Sequence, residues 1–229
     1  MQVDLIEHMG SDLMVVNAAR VSFAKHKTEL DAADIKLLHY LAKNHHWTPF
    51  GHPHVCFRVE FPIFVARQLI RHNVGLVVNE ESRRYIESEP MFHIPGEQSG
   101  WRMRPQGSKK QGSSGPANLT TMRIATQTVE DATKVAKLAY QGLLSLGIAP
   151  EQARMILPLN TMTSWYWTGS LAAFHRVCHL RLSPDAQDET RWVADAINTH
   201  LMGLYPHAMA ALRIEQPIDN HFQSNLGVS

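Results

Sequence analysis

Residues 52–72 read HPHVCFRVEFPIFVARQLIRH, and the change of period inside this stretch decides the fold class. From His52 to Phe61 the pattern alternates. Val55, Phe57, Val59 and Phe61 fall on one face, and His54, Cys56, Arg58 and Glu60 on the other, as in a half-buried β-strand. Pro62 is expected to stop the strand and suits the first turn of a helix, which is predicted from Ile63 to about His72. There Arg67 and Arg71 stand four apart on one face, with Gln68 and His72 beside them on the next. A half-buried strand running directly into a helix calls for a sheet with helices packed on it.

Upstream, residues 31–44 (DAADIKLLHYLAKN) carry Ile35, Leu37, Leu38, Tyr40 and Leu41 at mostly helical spacing, with Asp31 as a cap. Residues 45–51 read as a loop. Downstream, residues 95–118 are rich in Gly, Ser, Pro and basic residues without periodicity, a loop long enough to be functional or disordered. Helices are predicted over 119–146, from Pro150 and Glu151, over about 170–181 and over 186–203, before Pro206. There is no internal repeat and no clear linker. The expected fold is a single helix-rich α/β (α+β) domain spanning 1–229.

The chain has 229 residues, enough to bury a sizeable core, and a formal net charge of +1. That balance gives no electrostatic reason for bulk nucleic acid or a membrane surface as partner, yet leaves room for an anionic small molecule held by a few arginines. The two cysteines, Cys56 and Cys178, cannot make a disulfide framework. The N-terminal MQVDLIEHMGSDLMVV carries acidic residues and no uninterrupted apolar core, so neither a signal peptide nor a span is expected. The expectation is a soluble cytoplasmic protein.

The densest polar cluster is RQLIRHNVGLVVNEESRRY, Arg67 to Tyr85. After a turn at Asn73 and Gly75 come Asn79, Glu80, Ser82, Arg83, Arg84 and Tyr85. Guanidiniums beside amide, hydroxyl and carboxylate groups suit a bound nucleotide: Arg forks a phosphate or grips a base carbonyl, while Glu and Ser order sugar and base. The same composition also suits a solvated helix face with surface ion pairs.

Here the chain resembles the flavin-dependent thymidylate synthases, whose pattern is R-H-R-x-x-S-x-N-E-x-S-x-R-Y. Asn79-Glu80-Glu81-Ser82-Arg83-Arg84-Tyr85 matches the second half fully. AARVSF (18–23), TPF (48–50), FPIFVARQ (61–68), ARMILPLN (153–160) and LRLSPDAQ (180–187) are similar to family blocks and come in the right order; KKQGS (109–113) is similar to a segment of some members. The first half departs. Asn73 stands at the family's second arginine, its first serine falls on Leu76 or Val77, and one extra residue lies between Arg71 and Asn79. Gly51 stands where many members have Glu.

The resemblance implies a central, mostly antiparallel sheet and transfer of a methylene from methylenetetrahydrofolate to C5 of dUMP, with FAD, reduced by NADPH, supplying the hydride. It carries over Arg181 as the catalytic arginine at the ring's N3/O2 edge, where it would stabilise developing negative charge. Arg154 takes the phosphate, and Gln68, Arg71, Glu80, Ser82 and Arg84 fall where the family binds the nucleotide. His46, Thr48, Arg71, His72, Asn73, Asn79 and Arg176 fall near the flavin, Arg176 replacing an amide residue. It further implies a homotetramer whose subunits share active sites. The altered turn from Asn73 to Val78 keeps dCMP as a second candidate substrate, and hydroxymethylation as a second outcome.

Three rivals compete. His52 with His54, and His175 with His179, have usable metal-ligand spacings, without an HExxH motif or Cys cluster. Cys178-His179 is the one Cys-His pair, but among apolar residues Cys178 reads as a buried small hydrophobe. Trp101, Arg102, Arg104, Lys109 and Lys110 mix an aromatic with basic residues, as a non-enzymatic single-strand RNA binder would; the near-neutral total charge opposes that reading. No metal site is expected.

Overall fold

The strand expected at 52–61 spans His54–Pro62 (β2) in the computed structural model, which describes residues 1–86, 88–95, 100–105 and 112–214. Its alternation does what the pattern requires: Val55, Phe57, Val59 and Phe61 are buried, and His54 and Arg58 are exposed. Met162–Ser170 (β4) pairs antiparallel with β2 in unbroken register, setting Trp167 opposite Phe57 and Trp165 opposite Val59. Gln2–Met9 (β1) pairs with the other edge of β2, with a register shift between Leu5 and Glu7. Leu76–Glu80 (β3) pairs with β4, so the order is β1-β2-β4-β3 and every pairing is antiparallel.

Helices cover the apolar face of this sheet. They are Asp12–Arg20 (α1), Ala32–Lys43 (α2), Ile63–Leu69 (α3), Leu119–Ser145 (α4), Pro150–Ala153 (α5), Leu171–Arg181 (α6), Asp188–Leu204 (α7) and Pro206–Ile214 (α8). Leu38, Val65, Leu69, Phe174, Val177, Ile197 and Leu201 close onto Phe57, Phe61, Trp165 and Trp167 in one cluster. Each such side chain contributes roughly 1.5–3 kcal/mol by leaving water. Local chemistry fixes the ends. The Asp31 carboxylate accepts from the N–H groups of Ala33 and Asp34, and Asp34 returns a bond to the Asp31 N–H, a complete capping box. The Asp12 carboxylate accepts from His207 and Ala208, capping α8, and the Tyr205 hydroxyl lies against Met9 O and His54 O, tying α7 to β1 and β2.

α4 is different: of its 27 residues only Thr133 and Tyr140 are buried. Ile124, Val135 and Leu138 face outward, as do Val77 and Tyr166 on the open face of the sheet.

Two local expectations change. The helix after Pro62 stops at Leu69 rather than His72, because the chain turns through Ile70–Gly75 with Gly75 at φ +75. The segment taken as turn up to Val78 is already strand from Leu76. Its register against β4 runs without shift from Leu76↔Gly169 to Glu80↔Trp165, so the extra residue before Asn79 is absorbed upstream, between Ile70 and Gly75. The loop expected at 45–51 contains a short 3₁₀ turn, Thr48–Gly51, with Pro49 and Phe50 buried. Lys109, Lys110 and Gln111 of KKQGS lie outside the described residues.

Candidate active site

α3 is anchored by Val65, Ala66 and Leu69, all buried. That leaves Gln68, Arg71 and His72 on the side facing the C-terminal end of α6, where Arg181 occupies the last helical position. Arg181 Nε donates to His72 Nε2 at 2.9 Å, and its NH2 group reaches the Gln68 carbonyl at 3.4 Å. Burial, then the charges of Arg181, Arg176 and Arg71, hold the His72 imidazole below its ordinary pKa. The neutral ring keeps a lone pair for the Arg181 N–H, so the arginine is tethered by an acceptor that brings no counter-charge. Burial, then Arg71, also lowers the Arg181 pKa.

Arg176, one turn earlier on α6, donates to the Val74 carbonyl at 2.7 Å. Gly75 makes that close approach possible: a Cβ there would sit 3.3 Å from the Ala173 Cβ, and the backbone is in the left-handed region. Arg176 also lines a cavity of about 250 Å³ with His46, Trp47, Phe50, Ala172 and His175. Its aromatic and imidazole walls with one guanidinium fit the face and polar edge of a flavin ring.

A second cavity, about 340 Å³, is lined by Glu80, Ser82, Arg83, Arg154, Leu157 and Thr163 among others. Register explains Glu80. It lies opposite Trp165 on the core side of the sheet, where the buried Thr163 hydroxyl donates to its carboxylate at 2.7 Å. Asn79 points to the opposite, open side and is exposed. Burial raises the neighbouring Glu81 pKa, against the lowering by Arg83.

The expected site residues therefore form groups. Gln68, Arg71, His72, Arg176 and Arg181 gather at the α3–α6 junction; His46 joins them through the cavity shared with Arg176. Glu80, Ser82 and Arg154 line the second cavity, which has no lining residue in common with the first. Arg84 turns to Glu151 at 3.5 Å on the surface, and Thr48 and Asn73 are exposed beside the turns they belong to. Among the described residues, Arg71, Arg154, Arg176 and Arg181 have no carboxylate within ion-pair distance, as is also true of Arg58, Arg67, Arg83, Arg104, Arg123 and Arg213, whereas Arg20, Arg84, Arg102 and Arg191 do. Of these, Arg71, Arg176 and Arg181 stand together around His72 and Arg154 lines the other cavity; an unpaired guanidinium is suited to hold an anion.

The Cys178 thiol is buried and burial pushes its pKa up to about 12, so no thiolate nucleophile forms at neutral pH. Arg102 is spent on Glu189 and Asp188, and the Trp101 indole on Thr126. Among the described residues no group of three or more His, Cys, Asp or Glu is arranged to hold a metal, and no helix is long and apolar enough to cross a membrane. Gln187 and Thr190, which bond the Gln68 amide, and Glu189, which bonds Gln187, are missing from the sequence-derived set. The only signal for them was the end of the LRLSPDAQ block.

A four-stranded antiparallel sheet carrying helices on one face is an α+β fold. Residues 4–207 match the family described as thymidylate synthase complementing protein. A flavin-dependent thymidylate synthase of Kosmotoga olearia is 36% identical over 200 residues, covering 85% of this chain and 82% of the relative. That of Thermus thermophilus is 37% identical over 209 residues, covering 91% and 74%. The crystal structure of a UMP/dUMP methylase, PolB from Streptomyces cacaoi, bound with 5-Br dUMP, superposes with a TM-score of 0.84 at 32% identity, covering 93% of this chain and 94% of that one. The chain belongs to the flavin-dependent thymidylate synthase family and is a pyrimidine C5 methyltransferase of that type. The family's cofactor is FAD, with NADPH and methylenetetrahydrofolate as co-substrates.

Proposed function

We propose that this enzyme methylates C5 of a uridylate, with dUMP as the principal substrate, dTMP as product and methylenetetrahydrofolate as donor. The observation that carries this reading is the cluster at the α3–α6 junction, where Arg71, Arg176 and Arg181 stand around the half-buried His72 and Gln68, and His72 holds Arg181.

Pyrimidine C5 is a weak nucleophile until negative charge building on the ring is stabilised. Arg181, held in a fixed direction by His72, donates to the ring's N3/O2 edge and lowers that barrier. Arg154 holds the phosphate, Glu80 and Ser82 order the sugar, and Gln68 reads the base. The C5–CH2 bond forms as one of the two carbon–nitrogen bonds that hold the methylene on the folate breaks; the C5 proton leaves, and the second carbon–nitrogen bond breaks to free the folate. When bound and reduced by NADPH, the flavin would supply the hydride that turns the transferred methylene into methyl; His46, Trp47, His72 and Arg176 would hold its ring. Tetrahydrofolate leaves as the co-product.

A homotetramer with shared sites fits two observations: the two cavities with disjoint linings, and the outward apolar residues of α4 and of the sheet's open face. UMP is a second substrate reading, favoured because PolB is a UMP/dUMP methylase whose complex with 5-Br UMP also superposes, at a TM-score of 0.83.

The test is a competition among dUMP, UMP and dCMP, with FAD, NADPH and methylenetetrahydrofolate, read by product mass. Gain of a CH2 unit on dUMP first supports the reading. Gain on UMP first moves the assignment to the ribonucleotide. Gain on dCMP alone, or a hydroxymethyl product, overturns it.

A further inference from the structure

The Gln68 amide is the end of a hydrogen-bond chain whose direction is set elsewhere. Glu189, at the start of α7, is 3% exposed. Its carboxylate accepts from Arg102 NH2 at 2.8 Å to each oxygen and from Gln187 Nε2 at 2.9 Å. Burial alone would raise this carboxyl, but the bonds from Arg102, its own backbone N–H and Gln187 outweigh that and keep it ionised at neutral pH. The Gln187 carbonyl then accepts from Gln68 Nε2, and the Thr190 hydroxyl donates to Gln68 Oε1 at 3.2 Å.

Every orientation in this chain follows from one fact: an ionised carboxylate can only accept. Gln187 must therefore turn its NH2 group to Glu189 and its carbonyl to Gln68. Gln68 must turn its NH2 group to Gln187 and its carbonyl to Thr190. The Thr190 hydroxyl can donate or accept and simply follows. One N–H and one carbonyl lone pair of Gln68 remain, in a fixed order in space.

That order matters for a pyrimidine. Uracil presents a carbonyl oxygen beside an N3–H, and cytosine an amine beside a bare N3, so the two edges are opposite in sense. A fixed amide distinguishes them; an amide free to flip serves both. We propose that Glu189, anchored by Arg102, is a positioning residue that sets the direction of the Gln187 and Gln68 amides and thereby the choice between uracil and cytosine nucleotides. This rests on the reading above that Gln68 faces the base.

Replacing the carboxylate by an amide reverses the chain. In Glu189→Gln the carbonyl is claimed by Arg102, so the new NH2 donates to the Gln187 carbonyl. Gln187 then donates to Gln68 Oε1, and Gln68 donates to Thr190. All partners are satisfied with Gln68 flipped. In the double variant Glu189→Gln with Gln187→Glu, the acceptor-only group moves one place along, and Gln68 must again donate towards residue 187. Net charge is the same as in the wild type.

The experiment measures kcat/KM for dUMP and dCMP in the holoenzyme, with flavin content and unfolding temperature recorded for each variant. In E189Q the dUMP-to-dCMP preference is expected to fall by about tenfold or more, the worth of one well-made hydrogen bond. In the double variant it is expected to return to within about threefold of wild type. An equal loss on both substrates in E189Q, or a double variant no closer to wild-type preference, overturns the proposal. If E189Q does not fold, the double variant decides alone: wild-type preference supports the proposal, and a lost preference overturns it. Gln68→Ala separates this from the underlying reading, because an unchanged nucleotide KM there removes Gln68 from the base site whatever Glu189 does.

Discussion

Replacing Arg181 by lysine keeps a positive charge at the α3–α6 junction and removes the planar fork. Of the five N–H groups of a guanidinium, Nε serves His72 at 2.9 Å and one on NH2 leans on the Gln68 carbonyl at 3.4 Å. The remaining donors lie in the same plane and are free for the substrate. An ammonium cannot hold both anchors and still present two parallel donors, so the loss falls on the transition state, where the ring carries most charge. Removing one such donor typically costs about 2.7–4 kcal/mol, or roughly 10²–10³ in kcat. The ground-state cost is smaller. The His72 bond is a single half-buried contact worth about 1–1.5 kcal/mol, which lowers the unfolding temperature by only about 2–6 °C in a chain of this size. Steady-state kinetics with dUMP, alongside flavin content and thermal unfolding, separates the two. His72→Phe supplies the graded control, since it cuts the tether but leaves the guanidinium; its expected kcat loss is about tenfold. An Arg181→Lys enzyme within about tenfold of wild-type kcat would refute the role given to the fork.

Arg154→Met is expected to raise the nucleotide KM by about 10²-fold with a smaller change in kcat, because a phosphate contact is made equally in ground and transition states; titration of nucleotide binding checks it. Acid stability should depend on His175, whose pKa burial, then the His179 and Arg176 charges, lower to about 4. Since the folded state resists protonation, this group costs nothing above about pH 6.5. Stability is lost as pH falls from there towards 4, by up to about 3 kcal/mol. Urea unfolding at pH 7.5 and 4.5 should show that loss, and His175→Gln should flatten it. Cys178→Ala should keep activity within about threefold and cost about 1 kcal/mol of stability, as expected for trimming a small buried side chain rather than a nucleophile.

Where burial imposes a period, the sequence was easy to read. β2 has a core on one side and solvent on the other, so its alternation is plain, and α2 announces itself through its helical spacing after the Asp31 cap. The other strands were not legible, each for its own reason. β1 changes register between Leu5 and Glu7, which breaks the period. β3 has the apolar run Leu76-Val77-Val78, yet Val77 lies on the open face and is exposed, so a single chain shows no alternation there. In β4 the inward Thr163 and Gly169 look polar or small, although Thr163 serves Glu80 and Gly169 has no room for a Cβ against Leu76.

The site shows the same division. Residue types were readable, because arginines near Gln and His state their chemistry without coordinates. Partners were not. Arg181 meets His72 across 109 residues, and Gln68 meets Thr190 across 122. Nothing local marks Glu189 as the acceptor that orders three side chains, since a Glu in the first turn of α7 equally well serves the helix dipole.

The most direct test of the account is an anaerobic single turnover. The flavin-loaded enzyme is reduced chemically, then mixed with dUMP and methylenetetrahydrofolate separately and together, while flavin absorbance and nucleotide mass are followed. The expected result is reoxidation of the flavin only when both are present, with one methylated nucleotide formed per flavin oxidised. Methylated product without flavin oxidation, or flavin oxidation that needs no nucleotide, would contradict it.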